Sequence, residues 1–112
     1  MVRAVEQLQT WLDFVTYQMC TMSHKEANQR VGDVISLLKA QGSKVYELCA
    51  REATMIFGGN ALYMDGVGRK IEPSVGQVKG YQIPAGAEDV MDDYAARVAF
   101  KQAKLVIANS KL

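Results

Sequence analysis

The sequence lacks most of the features that mark metal, disulfide-linked and membrane proteins. Its single histidine, His24, and its two cysteines, Cys20 and Cys49, provide neither the ligand spacing of a zinc site nor a disulfide scaffold. No stretch approaches the ~18 consecutive apolar residues of a transmembrane helix. A formal net charge of +1 gives no basic surface for nonspecific nucleic-acid binding. We therefore expect no metal site, no membrane span and no nucleic-acid partner, and two reduced, buried cysteines.

Proline is also scarce, and its distribution divides the chain. Both prolines fall in residues 60–85, where four of the nine glycines also lie. Elsewhere apolar residues recur every three or four positions, over residues 2–22, 23–57 and 87–108, which is the spacing of one helix face. The pattern predicts one all-α domain, an up-and-down helical bundle of three long helices plus a Gly/Pro-rich loop region with a short helix near residues 67–72.

The second of these helices has clear signals at both ends. Ser23 and Glu26 have the spacing of a capping box, in which each side chain accepts a hydrogen bond from the other residue's main-chain N–H. Gly58 and Gly59 permit a left-handed residue at the other end. The predicted helix is roughly 33 residues long, or about 50 Å. This exceeds what a small three-helix domain needs, so we expect its surplus apolar surface to be covered by other subunits or by other parts of a larger protein.

The chain ends in Ser110-Lys111-Leu112, the tripeptide that peroxisomal import receptors recognise. The tripeptide acts only if it is exposed and its carboxylate is free, and the end of the third helix should leave it in solvent. We therefore predict a helical domain over residues 1–109, a targeting tripeptide over residues 110–112, a peroxisomal location and an import receptor as a partner.

Several segments together resemble one enzyme family. They are Ser-His-Lys-Glu at residues 23–26, Ile-Phe-Gly-Gly-Asn at residues 56–60, Gly-Val-Gly-Arg-Lys-Ile-Glu at residues 66–72 and Ile-Pro-Ala-Gly-Ala-Glu-Asp-Val at residues 83–90. In this order and spacing they resemble the C-terminal helical domain of the acyl-CoA dehydrogenases, and most closely the fungal-type, peroxisomal members. The resemblance covers nearly the whole chain.

The resemblance implies a portion of a flavoprotein of fatty-acyl-CoA oxidation. Family members bind FAD, remove the α and β hydrogens of an acyl-CoA, and carry an N-terminal helical domain and a middle β-domain. They assemble as oligomers through helices like these, and their Phe-Gly-Gly loop approaches the FAD pyrophosphate of a neighbouring subunit. The expected partners are therefore further copies of this chain, or a chain that carries the missing domains. The resemblance assigns cofactor contacts to Phe57, Gly58, Gly59, Gly86, Ala87 and Asp89.

The same resemblance indicates that this chain does not dehydrogenate alone. Many family members have the glutamate that removes the α-proton at the position of Ala85, whereas fungal-type members have a small residue there and place the base on an upstream helix. We therefore assign no catalytic residue. Two further departures are Met55, where a glutamine often helps to hold FAD, and Pro73, where the family continues a helix and we expect a break.

Two other interpretations remain open. The chain could be a stand-alone helical interaction or fatty-acyl-binding protein that has lost flavin chemistry, with Met19, Met22, Met55 and Met64 as an adaptable apolar lining. It could instead be a different enzyme that uses acidic residues of the loop region, although Asp65, Glu72, Glu88 and Asp89 are more typical of solvated loop and helix-start charges.

Overall fold

The structure is a computed structural model that describes residues 1–110, with the side chain of Asn28 excepted. Within these residues all regular structure is helical, and no β-strand is present. The α-helices are α1 (Val2–Thr21), α2 (His24–Arg30), α3 (Gly32–Phe57), α4 (Ile71–Gln82) and α5 (Glu88–Asn109). Two 3₁₀ turns, Gly58–Leu62 and Gly66–Gly68, lie between α3 and α4. The predicted all-α bundle of three long helices is confirmed.

Helix α3 is the centre of the molecule, and α1, α4 and α5 all pack on it. Near the start of α4 the Ser74 carbonyl accepts a hydrogen bond from Tyr46 Oη (3.3 Å), whereas the Gln82 carbonyl at its end accepts one from Lys39 Nζ (2.7 Å). Helix α4 therefore runs antiparallel to the second half of α3. Helix α5 continues in the same direction along the first half, so the molecule is elongated, with extents of 66 × 25 × 22 Å.

The capping box predicted at residues 23–26 is present. The Glu26 N–H donates to Ser23 Oγ (3.4 Å), and the Ser23 N–H donates to Glu26 Oε2 (3.1 Å). The Ser23 hydroxyl also donates to Glu26 Oε2 (2.8 Å). These hydrogen bonds, first from the side chain of Ser23 and then from its main chain, stabilise the carboxylate and lower the pKa of Glu26.

The prediction of a single helix over residues 23–57 is wrong, because the helix is interrupted at Val31. Val31 has φ −124° and ψ 6°, which ends α2 and begins α3 within one residue. Its N–H still donates to the Ala27 carbonyl (2.9 Å), and its own carbonyl accepts from the Ile35 N–H (2.9 Å). The side chain of Val31 is buried, and Gly32 is a weak helix former. Tertiary packing of Val31 and low local propensity therefore favour a bend over a straight helix.

The expectation that Pro73 breaks a helix is also wrong. Pro73 is the third residue of α4, and the N–H groups of a helix's first turn have no partner within the helix, so proline is tolerated there. The short helix expected near residues 67–72 divides into the 3₁₀ turn Gly66–Gly68 and α4, which continues to Gln82 despite Gly76 and Gly80.

The core consists of small side chains only, and it leaves much of the apolar surface uncovered. No large side chain is fully buried in residues 1–110; the buried apolar residues are Val15, Ala27, Val31, Ala40, Val45, Ala50, Ala61, Val78 and Ala95. The accessible surface is 8334 Å², against about 6,100 Å² for a compact monomer of this mass. The radius of gyration is 18.4 Å, against about 13 Å. Roughly 2,200 Å² is therefore exposed in excess of what a compact monomer shows.

The two cysteines are less buried than the sequence predicts. Cys20 is exposed and Cys49 is half-buried, so the prediction that both cysteines are buried is wrong. Cys20 follows Met19, itself 46% exposed, on a helix that packs mainly against α3 and leaves its outer side uncovered. No helix in the described part of the chain is both long and apolar enough to cross a bilayer.

Candidate functional site

The Gly58-Gly59 turn lies at the exposed end of α3. Gly58 has φ 54° and ψ −135°, a conformation open only to glycine, and its N–H donates to the Thr54 carbonyl to end the helix. Gly59 does not have a positive φ, and a Cβ added to it meets no heavy atom within 4 Å. The backbone at Gly59 is therefore open to close approach by another molecule.

Six apolar side chains around this turn are 67–77% exposed; they are Met55, Ile56, Leu62, Tyr63, Met64 and Val67, and we call them the Gly-Gly-end patch. Phe57 adds to it with 38% of its surface exposed. Such a concentration of large apolar side chains around an open backbone is typical of an interaction surface rather than of a free helix end.

The second candidate segment is the bend between α4 and α5. Ala85 has φ 60° and Gly86 has φ 104°, and Ala87 in extended conformation begins α5. A non-glycine residue with positive φ is uncommon and persists only where its surroundings hold it. Gly86 also packs closely, because an added Cβ would lie 2.1 Å from Met91 Cε.

A group of polar side chains holds this bend against α3. Lys39 Nζ donates to the carbonyls of Gln82 (2.7 Å) and Gly86. The buried Gln82 side chain accepts from Lys79 Nζ (2.6 Å) and donates to Glu47 Oε2 (2.5 Å). Each polar atom of the Gln82 side chain thus has a partner.

A cleft of about 200 Å³ lies beside the bend, lined by Lys79, Gln82, Ile83, Ala87, Glu88 and Asp89. Asp89 is exposed, whereas Glu88 Oε1 is buried and has no hydrogen-bond partner among the described residues. Oxygen atoms of two carboxyl groups therefore surround the first turn of α5. Such a cleft suits a ligand edge that donates hydrogen bonds.

The two sets of predicted cofactor residues lie far apart in one chain. The residues that flank the bend contact α3 at Lys39, Lys44 and Glu47, and Gly58 follows these by 19, 14 and 11 residues along the continuous helix. At 1.5 Å per residue, the Gly58-Gly59 turn lies roughly 16–28 Å from these contacts along the helix axis. The structure therefore brings Gly86, Ala87 and Asp89 together at one place and Phe57, Gly58 and Gly59 at another.

Comparison with known proteins assigns this arrangement to a family. Residues 1–100 match the family model described as "Acyl-CoA dehydrogenase, C-terminal domain". The chain belongs to the acyl-CoA dehydrogenase family. The acyl-CoA dehydrogenase apdG of Emericella nidulans is 33% identical over 104 residues, which are 90% of this chain and 24% of that relative. The chain thus spans about a quarter of the length of this curated acyl-CoA dehydrogenase. No solved structure matches it.

The geometry of this acyl-CoA dehydrogenase domain is compatible with FAD at both places. The Gly58-Gly59 backbone can approach a pyrophosphate because no Cβ intervenes. The carboxylate of Asp89 can accept a hydrogen bond from a hydroxyl or ring N–H group of the cofactor. The assignment of these six residues to the cofactor stays a prediction.

Sequence reasoning missed the residues that hold the bend, Lys39, Glu47 and Gln82. One signal was available for the first of them. Lys39 interrupts an apolar face of α3. It lines the same groove as Ile35, Leu38 and Gly42, and it is the charged residue among them. The partners of Lys39 could not have been found this way, because they are main-chain carbonyls 43 and 47 residues away.

Proposed function

We propose that this chain is the C-terminal helical portion of an acyl-CoA dehydrogenase-like flavoprotein of fatty-acyl-CoA oxidation, and that it contributes the edge of the FAD site and oligomer contacts. The observation that carries the proposal is the open Gly58-Gly59 backbone within the Gly-Gly-end patch. Family membership supports it. Acyl-CoA is the substrate proposed for the whole protein, and the chain alone is not expected to dehydrogenate.

In this proposal the two candidate segments contact different parts of the cofactor. Phe57, Gly58 and Gly59 hold the pyrophosphate, with main-chain groups near the anion and the Phe57 ring beside it. Gly86, Ala87 and Asp89 lie beside the flavin and the acyl chain. The bound flavin would supply the ring that accepts hydride from the substrate. Ala85 has no group that could remove a proton, so the base must come from another position.

The separation of roughly 16–28 Å along α3 supports contributions to two different cofactors. The Gly58-Gly59 turn reaches the FAD of a neighbouring protomer, while the bend near Lys39 faces the FAD of its own protomer. The proposal therefore requires an assembly of at least two copies, or a partner chain that carries the remaining domains.

The total exposed surface of the chain, polar and apolar together, is large enough for such an assembly. The excess of roughly 2,200 Å² per chain falls in the range that obligate interfaces bury, about 2,000–5,000 Å². A second uncovered surface is the groove between α1 and α3, about 350 Å³ in volume and lined by Leu8, Leu12, Ile35, Leu38, Lys39 and Gly42. A Cβ added to Gly42 meets nothing within 4 Å, so an apolar helix from another chain or domain can lie closely against α3 there.

The variant Gly59→Ala tests the cofactor role directly. The added methyl group meets no atom of the chain and requires no unusual φ, so we expect the free energy of unfolding to change by less than about 0.5 kcal/mol. The same methyl group lies where the anion must approach, so we expect FAD affinity to fall at least about tenfold. Equilibrium titration of the chain with FAD, followed by its fluorescence, measures the change.

The control is Gly80→Ala, which adds a methyl group to open space on α4, away from the Gly58-Gly59 turn. It should leave FAD affinity unchanged. Equal affinity in Gly59→Ala and the wild-type chain would contradict a pyrophosphate site at this turn. A wild-type chain with no measurable FAD affinity would contradict cofactor binding by the isolated chain.

We also propose that the protein is imported into peroxisomes through its last three residues. Ser110 is exposed at the end of α5, where its hydroxyl donates to the Ile107 carbonyl (2.9 Å); Lys111 and Leu112 lie outside the described residues. A fluorescent protein fused before residue 1 should collect in peroxisomes. Deletion of Leu112 should disperse it, because import receptors read the terminal tripeptide with its carboxylate. Retention in peroxisomes after the deletion would exclude this signal.

A stand-alone fatty-acyl-binding protein is the second candidate, and the groove between α1 and α3 favours it because its walls are almost entirely apolar. The predicted methionine lining does not form: Met19 and Met22 lie at the α2 end of α3, and Met55 and Met64 lie at the Gly-Gly end. Native mass spectrometry distinguishes the two functions, since a bound lipid without flavin supports this second one.

A further inference from the structure

Among the described residues, Lys39 is the one that donates hydrogen bonds from the central helix to both sides of the bend. Its ammonium group donates to the carbonyl of Gln82, at the end of α4, and to the carbonyl of Gly86, just before α5. No carboxylate in the described residues lies within 4.0 Å of it. The positive charge of this half-buried side chain is therefore directed entirely at main-chain oxygen atoms.

A nearby cation stabilises both the Gln82 and the Gly86 carbonyl groups. The last carbonyls of a helix lack partners within the helix and carry the negative end of its dipole, so a lysine ammonium at the end of α4 is favourable. The Gly86 carbonyl lies beyond the residue with φ 60°, where no helical hydrogen bond is available. One ammonium group thus bridges the two ends of a five-residue bend that has little hydrogen bonding of its own.

The neighbouring side chains fix where the bend begins. Gln82 is only 7% exposed, and its amide contacts Glu47 on α3 and Lys79 on α4. These contacts hold the last turn of α4, whereas across residues 83–87 the side-chain hydrogen bonds found in the described part of the chain come from Lys39. Ala85 keeps its left-handed conformation only while both ends of the bend are held.

We propose that Lys39 is a positioning residue, which holds residues 83–87 in one conformation and so presents Gly86, Ala87 and Asp89 to the cofactor. The role of the segment in cofactor binding rests on the function proposed above. The hydrogen bonding of Lys39 to both ends of residues 83–87, which we call the clamp, does not rest on that function, because it is defined within this chain. The two can therefore fail separately.

The test compares three variants of the full chain. Lys39→Met keeps the apolar stem and removes the ammonium, Lys39→Arg keeps the charge and several donors, and Lys44→Met removes an exposed lysine of the same helix whose Asp92 partner is also exposed. NMR relaxation should give order parameters near about 0.85 for residues 85–87 in the wild-type chain and below about 0.6 in Lys39→Met. Lys39→Arg should restore at least part of the order, and Lys44→Met should have no effect.

Two more measurements complete the test. In the wild-type chain an amine-acylating reagent should modify Lys39 at least about tenfold more slowly than Lys44. This measurement does not depend on whether any variant folds. FAD affinity should fall about tenfold in Lys39→Met and not in Lys44→Met. Unchanged order at residues 85–87 in folded Lys39→Met, or equal acylation of the two lysines, overturns the clamp. Absence of FAD binding in the wild-type chain counts against the proposed function and leaves the order and acylation results to decide the clamp.

Discussion

Substitution of Gly68 by alanine should unfold the Gly-Gly end of the molecule or destabilise the whole chain by about 3 kcal/mol or more. A Cβ at this position would lie 1.8 Å from the Asn60 carbonyl oxygen, 2.5 Å from the Asn60 carbonyl carbon and 3.0 Å from the Ala61 nitrogen. All three are main-chain atoms, so no side chain can rotate away to relieve the clash. The close contact of the two 3₁₀ turns must then open.

Chemical denaturation measures this effect, with Gly76→Ala as the matched control. Gly76 lies within α4, and an added Cβ there meets nothing within 4 Å. Because alanine is the better helix former, the control should gain roughly 0.5–1 kcal/mol in the free energy of unfolding. Equal stability of the two variants would contradict the close contact between Gly68 and Asn60.

Replacement of Ile56 by glutamate (Ile56→Glu) should abolish self-association of the chain at micromolar concentration. Ile56 is 68% exposed in the Gly-Gly-end patch and has no place in the core of the single chain. A glutamate should therefore leave the fold intact, while its carboxylate would lose its hydration in any interface that covers the patch. We expect a loss of about 2–4 kcal/mol of association free energy, or roughly 30- to 1000-fold in Kd.

Sedimentation of the variant and the wild-type chain across a concentration series gives the change in Kd. Gln77→Glu is the control, since it adds the same charge to an exposed position of α4 outside the patch. It should associate like the wild-type chain. Equal association of Ile56→Glu and Gln77→Glu would show that the patch is not part of the interface.

The sequence was sufficient where structure depends on local interactions. The three long helices follow from apolar spacing, and the start of α2 follows from Ser23 and Glu26, which interact only with each other. The bend at Val31 was not predictable, because it depends on which side chains the rest of the molecule buries. Helix α4 was missed for a similar reason: its glycines weaken the local signal, and contacts such as Tyr46 Oη with the Ser74 carbonyl stabilise it.

The candidate site shows the same division. The motifs at residues 56–60 and 83–90 are continuous in sequence, so resemblance to a family could identify them. Their separation of roughly 16–28 Å along α3 depends on how far α4 extends back along α3 before the chain bends, and no local pattern encodes that. The role of Lys39 could not be predicted from the sequence for the same reason, since its hydrogen-bond acceptors are carbonyl groups more than 40 residues away.

The central claim is that this helical domain leaves its cofactor edge and apolar faces open for an assembly around FAD. Light scattering of the chain after incubation with FAD and gel filtration tests it most directly. We expect a peak with a mass of at least twice 12.4 kDa and with flavin absorbance. A monomer of 12.4 kDa that carries no flavin would contradict it.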